Sequence, residues 1–151
     1  NVKILSSAVN EINDTFDTIC YFDVLEHIEF HEKEILNAFD KLEKDGHLII
    51  IVPAFNHLFS YYDESVGHYR RYEKEFFINF ITKNEKLMNK KLVYFDSIGY
   101  LFLILNKIIK SQKKSLGLAT FIWNLLIPIS KIIDTLTFHT FGKSLLCVIK
   151  K

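Results

Sequence analysis

The chain has 151 residues, of which 49% are hydrophobic and 25% are charged, and its formal net charge is +1. This composition is typical of one globular domain with a core, and it excludes disordered and fibrous classes. The charge is unevenly distributed: residues 1–97 carry 11 Lys and Arg against 17 Asp and Glu, whereas residues 98–151 carry 8 Lys against Asp134 alone. The basic residues fall among apolar ones and not on a polar groove, so we expect no nucleic-acid binding.

The two cysteines, Cys20 and Cys147, lie in apolar, strand-like runs without metal-ligand spacing. They predict buried, reduced thiols and a reducing compartment. We therefore expect a cytoplasmic protein, or one that is peripheral at the membrane.

The first elements predict a strand–helix–strand unit. Residues 2–5 indicate a short strand, and residues 16–22 indicate the first long buried strand. Residues 31–44 have helical periodicity, and Gly46 then predicts a turn with positive φ. Residues 47–52 are continuously apolar, which is typical of a strand buried on both faces of a parallel sheet.

The second part of the chain predicts a functional loop and further elements around a sheet. In order, we predict a long loop over 54–72, a helix over 73–83, a strand over 91–96, apolar helices over 98–110 and 117–137, and a last strand over 144–150. Pro128 is expected to kink or divide the second apolar helix. Long loops on a rigid sheet often carry function.

A polar cluster follows directly after the strand over 16–22. Asp23, Glu26 and His27 stand where ligands bind in open α/β sheets, at the carboxyl ends of the strands. One hypothesis is therefore that 23–27 forms a wall of a small-molecule site. The alternative is a capping box, with Asp23 at the start of a helix and Glu26 three residues on, which leaves His27 unexplained.

Three stretches resemble class I S-adenosylmethionine-dependent methyltransferases. Residues 16–28, with Asp-Val-Leu-Glu-His-Ile at 23–28, are similar to the family's fourth strand and its exit. Residues 45–53 resemble its fifth strand, with Asp-Gly-His in place of Pro-Gly-Gly. Gly-His-Tyr-Arg-Arg-Tyr at 67–72 is similar to a motif of one bacterial subgroup.

This resemblance implies an α/β fold with an incomplete Rossmann-like sheet, in which family strands four, five, seven and six are adjacent and the last strand is antiparallel. Residues 1–151 would form one partial methyltransferase domain, and 98–141 would be an apolar helical insertion within it. The family's first strand and its GxGxG loop are missing from the sequence. We therefore expect a segment before Asn1, an unpaired edge on the strand over 16–22, and no activity of this chain alone.

The resemblance also implies a reaction, in which S-adenosylmethionine donates a methyl group to O or N of a small acceptor that is apolar or membrane-associated. The base would be His27 or His68, because imidazole titrates near neutral pH. The cofactor would lie against Ser7, Tyr21, Phe22 and Asp23, and the acceptor against Glu26, Tyr62, Tyr69, Arg70 and Arg71. The two arginines either bind an anionic acceptor or pair with nearby acids.

A metal-dependent alternative rests on other methyltransferases that place an acid, Glu-His and a later His around Mg²⁺. The similar positions here are Asp23, Glu26, His27 and His68. Because Mg²⁺ prefers oxygen ligands, and Arg70 and Arg71 add two cations next to His68, we predict no metal.

The apolar residues 98–138 allow three arrangements: a helical cap or dimer contact, an interfacial membrane helix pair, or a membrane span. In the second, Lys107, Lys110, Lys113 and Lys114 would lie at the headgroups. Lys131 and Asp134 disfavour the third, since a central charge costs about 3 kcal/mol on insertion scales. The alternative to an enzyme is a non-catalytic α/β module that docks on a partner or membrane through 98–138.

Overall fold

The computed structural model describes residues 7–109 and 116–151, except for the side chains of 108–109 and 116–124. Its elements are β1 (Phe16–Phe22), α1 (His31–Asp40), β2 (Leu42–Pro53), α2 (Tyr61–Ser65), α3 (Lys74–Lys83), β3 (Met88–Phe95), α4 (Ser97–Ile109), α5 (Leu116–Leu136) and β4 (Ser144–Lys150). Short 3₁₀ turns occur at Val9–Glu11, Leu25–His27 and Asn56–Leu58. The strand predicted over 2–5 and the lysines Lys110, Lys113 and Lys114 lie outside the described residues.

The four strands form one mixed sheet in the order β1-β2-β4-β3. β1 and β2 are parallel, as a strand–helix–strand unit requires, and β4 is antiparallel to both β2 and β3. The predicted α/β class is therefore confirmed. β1 is an edge strand, and no other described strand pairs with its outer edge.

The two faces of the sheet differ. One face carries the core, where apolar residues of α1 and α3 pack on alternate strand residues; this cluster includes Ile35, Phe39, Leu48, Ile50, Phe77, Phe80, Cys147 and Ile149. The other face carries Cys20, Phe22, Ile49 and Ile51, which are exposed or half-buried. The prediction of a buried β1 and a buried Cys20 was therefore wrong, because β1 is an edge strand and only one of its faces is covered by the described helices.

β2 begins earlier than predicted. It starts at Leu42, which pairs with Phe16, so the strand includes the predicted turn and shortens α1. The positive φ is at Asp45 (64°) and not at Gly46. Gly46 is required for a different reason: a Cβ there would lie 2.9 Å from the carbonyl oxygen of Asp17.

Residues 54–72 are more ordered than a loop. Their ends meet, because the Tyr72 amide donates to Pro53 O and the Phe55 amide donates to Tyr72 O, each at 2.9 Å. α2 lies between them, with a capping box from Ser60 and Asp63. This fold-back brings 67–72 to the carboxyl end of β2.

α4 and α5 form a separate helix pair beside β3. Pro128 lies within α5 without dividing it. Asp134 accepts hydrogen bonds from the amides of Asp96 and Ser97, both at 2.9 Å, and so satisfies donors at the start of α4. None of the described helices is both long and apolar enough to cross a bilayer.

Candidate functional site

The site is built where the exit of β1 meets the segment after α2. Directly after β1, Asp23 adopts a φ of 51° and the chain turns through the 3₁₀ turn Leu25–His27. The Tyr69 amide donates to the Glu26 carbonyl at 2.8 Å, so the segment around 67–69 lies beside this turn. Gly67, with a φ of 83°, allows the close return of the chain.

The capping-box alternative for Asp23 and Glu26 is wrong. The N-cap of the 3₁₀ turn is Val24, no side chain caps the turn, and Asp23 is exposed. The Glu26 side chain is instead buried, with 1% of its surface exposed.

A buried carboxylate, Asp63, fixes one of the two histidines. Asp63 is fully buried and accepts hydrogen bonds from the amide and hydroxyl of Ser60 and from the Arg71 guanidinium. Burial alone would raise the pKa of Asp63, but the hydrogen bonds from Ser60 and the charge of Arg71 hold the pKa below its ordinary value. Asp63 is therefore ionised at neutral pH and can only accept.

This charge sets the tautomer of His68. The Nδ1 atom of His68 lies 3.0 Å from Asp63 Oδ1, so it carries the proton and donates. Its Nε2 atom lies 4.0 Å from Glu26 Oε1 and is left with a lone pair when the ring is neutral. A carboxylate that orients an imidazole in this way is the usual support for a histidine base or a histidine metal ligand.

His27 completes the cluster. Its ring lies edge-on to the ring of His68, with centroids 4.6 Å apart. Its Nδ1 atom is 3.3 Å from the carbonyl oxygen of Gly67, which can only accept, so Nδ1 is the donor and Nε2 is available. The structure thus brings Glu26, His27 and His68 together.

Glu26 is the unusual member of this cluster. Its Oε2 atom is buried and has no hydrogen-bond partner. Burial is the main cause that raises the pKa of Glu26, and the nearby charge of Asp23 acts in the same direction. A buried carboxylate oxygen without a partner is costly, and it indicates a group to which something else binds.

Three of the four residues in the metal alternative could share one ion. Glu26, His27 and His68 each offer a ligand atom within 4.8 Å of the others, but Asp23 is not part of this group. Two imidazoles and one carboxylate suit a transition metal better than Mg²⁺.

The other predicted acceptor residues are arranged differently. Tyr62 and Tyr69 are exposed beside the cluster. Arg70 donates to the carbonyl oxygens of Ile28 and Glu29, at 2.7 and 3.1 Å. Because Arg71 is bound to Asp63, both guanidinium groups already have partners within the fold.

The two arginines also line an open cleft of about 350 Å³. Its lining consists of His31, Asn56, Arg70, Arg71, Tyr72, Glu73 and Phe76. Burial, followed by the charge of Arg70, lowers the pKa of His31 to about 4. Sequence reasoning did not select His31, because a histidine at a helix start carries no local signal of burial.

Sequence reasoning also missed the role of Asp63, which it treated only as one of several partners for an arginine. The spacing Ser60-x-x-Asp63 is a capping-box pattern that could have indicated an ordered turn there.

The residues predicted to contact the cofactor are only partly available. Ser7 is exposed ahead of β1 in sequence, and Phe22 and Asp23 are exposed at the carboxyl end of β1. The Tyr21 hydroxyl, in contrast, donates to Glu34 at 2.7 Å on the α1 side of the sheet, and burial raises its pKa.

Comparison with solved structures gives a similar fold. The N-methyltransferase NodS from Bradyrhizobium japonicum WM9, solved in complex with S-adenosyl-L-homocysteine, superposes with a TM-score of 0.50 and 16% identity. The alignment covers 97% of this chain and 53% of the NodS chain, so the chain spans about half the length of that protein. Comparison with curated proteins gives no match.

A family profile provides the assignment. The profile described as "Methyltransferase domain" matches residues 6–87, which is more than half of the chain and includes β1, β2 and the Glu26–His27–His68 cluster. This chain belongs to the methyltransferase-domain family of enzymes.

Proposed function

We propose that the chain is the C-terminal part of a class I methyltransferase domain, of the bacterial subgroup whose motif resembles residues 67–72. In this proposal, β1, β2, β4 and β3 correspond to family strands four, five, seven and six. Support comes from the order of the strands and the antiparallel β4. The unpaired edge of β1 is where the family's first strand would pair. Residues 98–141, which hold α4 and α5, are then a helical insertion before the last strand.

The proposed cofactor is S-adenosylmethionine, which supplies the methyl group when it is bound. Phe22 and Asp23, exposed at the carboxyl end of β1, fit part of it: an aromatic ring for apolar contact and a carboxylate for an ammonium group. The five glycines of the chain, at 46, 67, 99, 117 and 142, form no GxGxG loop. We therefore propose that these residues hold only one side of the cofactor and that the 151-residue chain is inactive alone.

The observation that carries the acceptor site is the buried Oε2 atom of Glu26 without a partner. An acceptor amine would donate one hydrogen to this oxygen, would thereby be oriented at the end of β1, and would keep its second hydrogen for the base. A hydroxyl acceptor has a single hydrogen, which would go to the base. Exposed Tyr62 and Tyr69 would flank a small, apolar or membrane-associated acceptor. Arg70 and Arg71, whose donors serve the fold, would shape this wall without binding an anion.

The proposed base is His68, with His27 as the alternative. The proton of the acceptor oxygen or nitrogen would move to His68 Nε2, because Asp63 keeps Nδ1 protonated and stabilises the imidazolium that forms. In the complete enzyme, His68→Ala should lower kcat by about 10²–10⁴-fold at neutral pH. His57→Ala, at an exposed histidine on the turn after β2, is the matched control and should leave kcat unchanged.

Binding of S-adenosyl-L-homocysteine tests the function. Calorimetric titration should show no binding by the 151-residue chain and clear binding by a longer chain from the same reading frame that includes a GxGxG loop. If that longer chain is folded and still binds none, the enzyme proposal fails.

A chelator distinguishes the histidine base from the metal alternative. We expect treatment with EDTA to leave the methyl-transfer rate unchanged. The metal alternative predicts instead that EDTA removes the activity and that Mn²⁺ or Zn²⁺ restores it. If Glu26→Gln then prevents this restoration, a metal is assigned to Glu26, His27 and His68.

The second candidate function is a non-catalytic module that docks on a partner or membrane. The observation that favours it is the apolar outer side of α5 described below. The same titration discriminates the two functions, because only a methyltransferase requires the cofactor.

A further inference from the structure

α5 buries two polar side chains and exposes a row of apolar ones. Its buried side carries Ser130 and Asp134. Its exposed side carries an apolar stripe with helical spacing, and the side chains in this stripe are 49–72% exposed: Leu125, Ile129, Ile132 and Leu136. A helix that packs on a soluble core normally shows the reverse arrangement.

Hydrogen bonds fix this orientation. Asp134 accepts from the amides of Asp96 and Ser97, and the Ser130 hydroxyl accepts from the amide of Ile98 at 3.3 Å. If α5 turned its apolar stripe inward, these three amides would lose their acceptors. The hydrogen bonds between α5 and the start of α4 therefore fix the apolar stripe on the exposed side of α5.

Neighbouring segments extend the apolar area. α4, which packs against α5, exposes Leu101 and Leu105. Phe138, directly after α5, is 87% exposed. These exposed apolar side chains on two helices in contact add to the α5 stripe. Exposed apolar area of this kind marks an interaction surface.

The charge of the segment selects the partner. From Ser97 to Ile133 the sequence contains no Asp or Glu and five lysines: Lys107, Lys110, Lys113, Lys114 and Lys131. Among the described ones, Lys107 and Lys131 are exposed. A second copy of this surface would bring like charges together, whereas an anionic headgroup layer would attract them.

We propose that the α4–α5 pair docks on the surface of an anionic lipid bilayer, with the α5 stripe in the headgroup–acyl boundary and the exposed Lys107 and Lys131 at the phosphates. The proposed contact is that of a helix pair lying in the interface plane, with its apolar side towards the acyl chains. This inference does not depend on methyl transfer, because lipid binding can be measured without activity.

Vesicle flotation of the 151-residue chain tests the proposal. We expect the chain to float with vesicles that contain phosphatidylglycerol and to remain unbound with pure phosphatidylcholine, and we expect high salt to weaken binding. Ile129→Ser combined with Ile132→Ser should lower the partition coefficient by about tenfold or more, because apolar insertion is lost. Ile78→Ser combined with Met88→Ser removes similarly exposed apolar side chains from α3 and β3 and should not change it.

Two results would overturn the proposal. One is no flotation with anionic vesicles at low salt by a chain whose circular dichroism shows it to be folded. The other is a dimer in light scattering that Ile129→Ser with Ile132→Ser converts to a monomer, which would assign the stripe to a second copy of the chain.

Discussion

The site region (residues 23–72) and the helix pair (residues 97–138) are each organised around a buried carboxylate. In the site region, Asp63 accepts from Ser60, His68 and Arg71. In the helix pair, Asp134 accepts from two backbone amides where β3 leads into α4. Asp63 joins residues within one short segment, and Asp134 joins two helices that are distant in sequence. In both regions the carboxylate holds the local structure together.

The regions differ in what they leave available. The site region contains a second buried carboxylate, Glu26, with an oxygen that has no partner, beside two histidines that present Nε2. The helix pair instead leaves apolar side chains exposed. The site region therefore leaves polar atoms available, and the helix pair leaves apolar side chains available.

The largest expected effect on stability is that of Asp63→Asn. This substitution removes the charge opposite Arg71, which is itself largely buried, and leaves that cation without compensation. Breaking a buried ion pair in this way costs about 3–5 kcal/mol. Urea unfolding of the chain measures the loss.

Glu64→Gln is the control for this substitution, because Glu64 is an exposed neighbour on the same helix. It should change the free energy of unfolding by less than about 0.5 kcal/mol. A loss of less than about 1 kcal/mol for Asp63→Asn would show that Asp63 does not organise the site region.

A smaller effect is expected for Asp134→Ala. The carboxylate of Asp134 carries no ion pair among its described contacts and acts as a cap for amides at the start of α4, so its loss should cost about 1–2 kcal/mol. Thr135→Ala, at the exposed next residue, serves as the control. If Asp134→Ala lowered the free energy of unfolding as much as Asp63→Asn does, Asp134 would be more than a cap for backbone amides.

Much of this arrangement follows from local sequence patterns. The bounds of β1 and β4 were predicted correctly because apolar, β-branched runs end at polar residues there. The motifs that resemble a family put Asp23 in one set with Glu26, His27 and His68, whereas the structure groups only the last three. The start of β2 was missed because pairing with β1 overrides the turn preference of Asp45 and Gly46.

The remaining features depend on distant contacts. The burial of Asp63 requires that residues 54–72 fold back so that Arg71 reaches it, which no local pattern shows. The orientation of α5 could not be predicted because its sequence is apolar on several sides. Hydrogen bonds to Asp134 and Ser130 decide which side faces inward.

His31 should make the free energy of unfolding depend on pH between about pH 7 and pH 5. Burial and Arg70 lower the pKa of His31 from 6.5 to about 4, so His31 is neutral in the folded chain at pH 5 but protonated in the unfolded chain. The unfolded state therefore binds more protons, and stability falls as the pH decreases from about 6.5 towards 4. We expect a loss of about 1 kcal/mol between pH 7 and pH 5, which allows for partial exposure.

Unfolding of His31→Gln at both pH values checks this prediction. The variant should lose most of the difference between pH 7 and pH 5, whereas His57→Ala in the exposed turn should retain it. An unchanged pH dependence in His31→Gln would place the titrating group elsewhere in the chain.

The smallest expected effect on stability, and the most informative about function, is that of Glu26→Gln. Burial raises the pKa of Glu26 in the folded chain. Ionisation of Glu26 therefore destabilises the folded state increasingly as the pH rises above the pKa that glutamate has in the unfolded chain. The amide removes this cost, so at pH 7 we expect the free energy of unfolding to be unchanged or slightly higher. In the complete enzyme the same change should lower kcat by about 10²-fold. The reason is that the carboxylate no longer holds the N–H group of the methyl acceptor in place.

Glu26→Gln therefore separates an effect on binding from an effect on folding. Asp63→Asn cannot do so, because that variant should lose stability and activity together. The affinity for S-adenosyl-L-homocysteine should stay the same in Glu26→Gln, because Glu26 is assigned to the acceptor and not to the cofactor. If Glu26→Gln instead unfolds the chain as Asp63→Asn does, the oxygen without a partner is not a binding group. The contrast between a carboxylate that holds the fold and one that holds a ligand would then be lost.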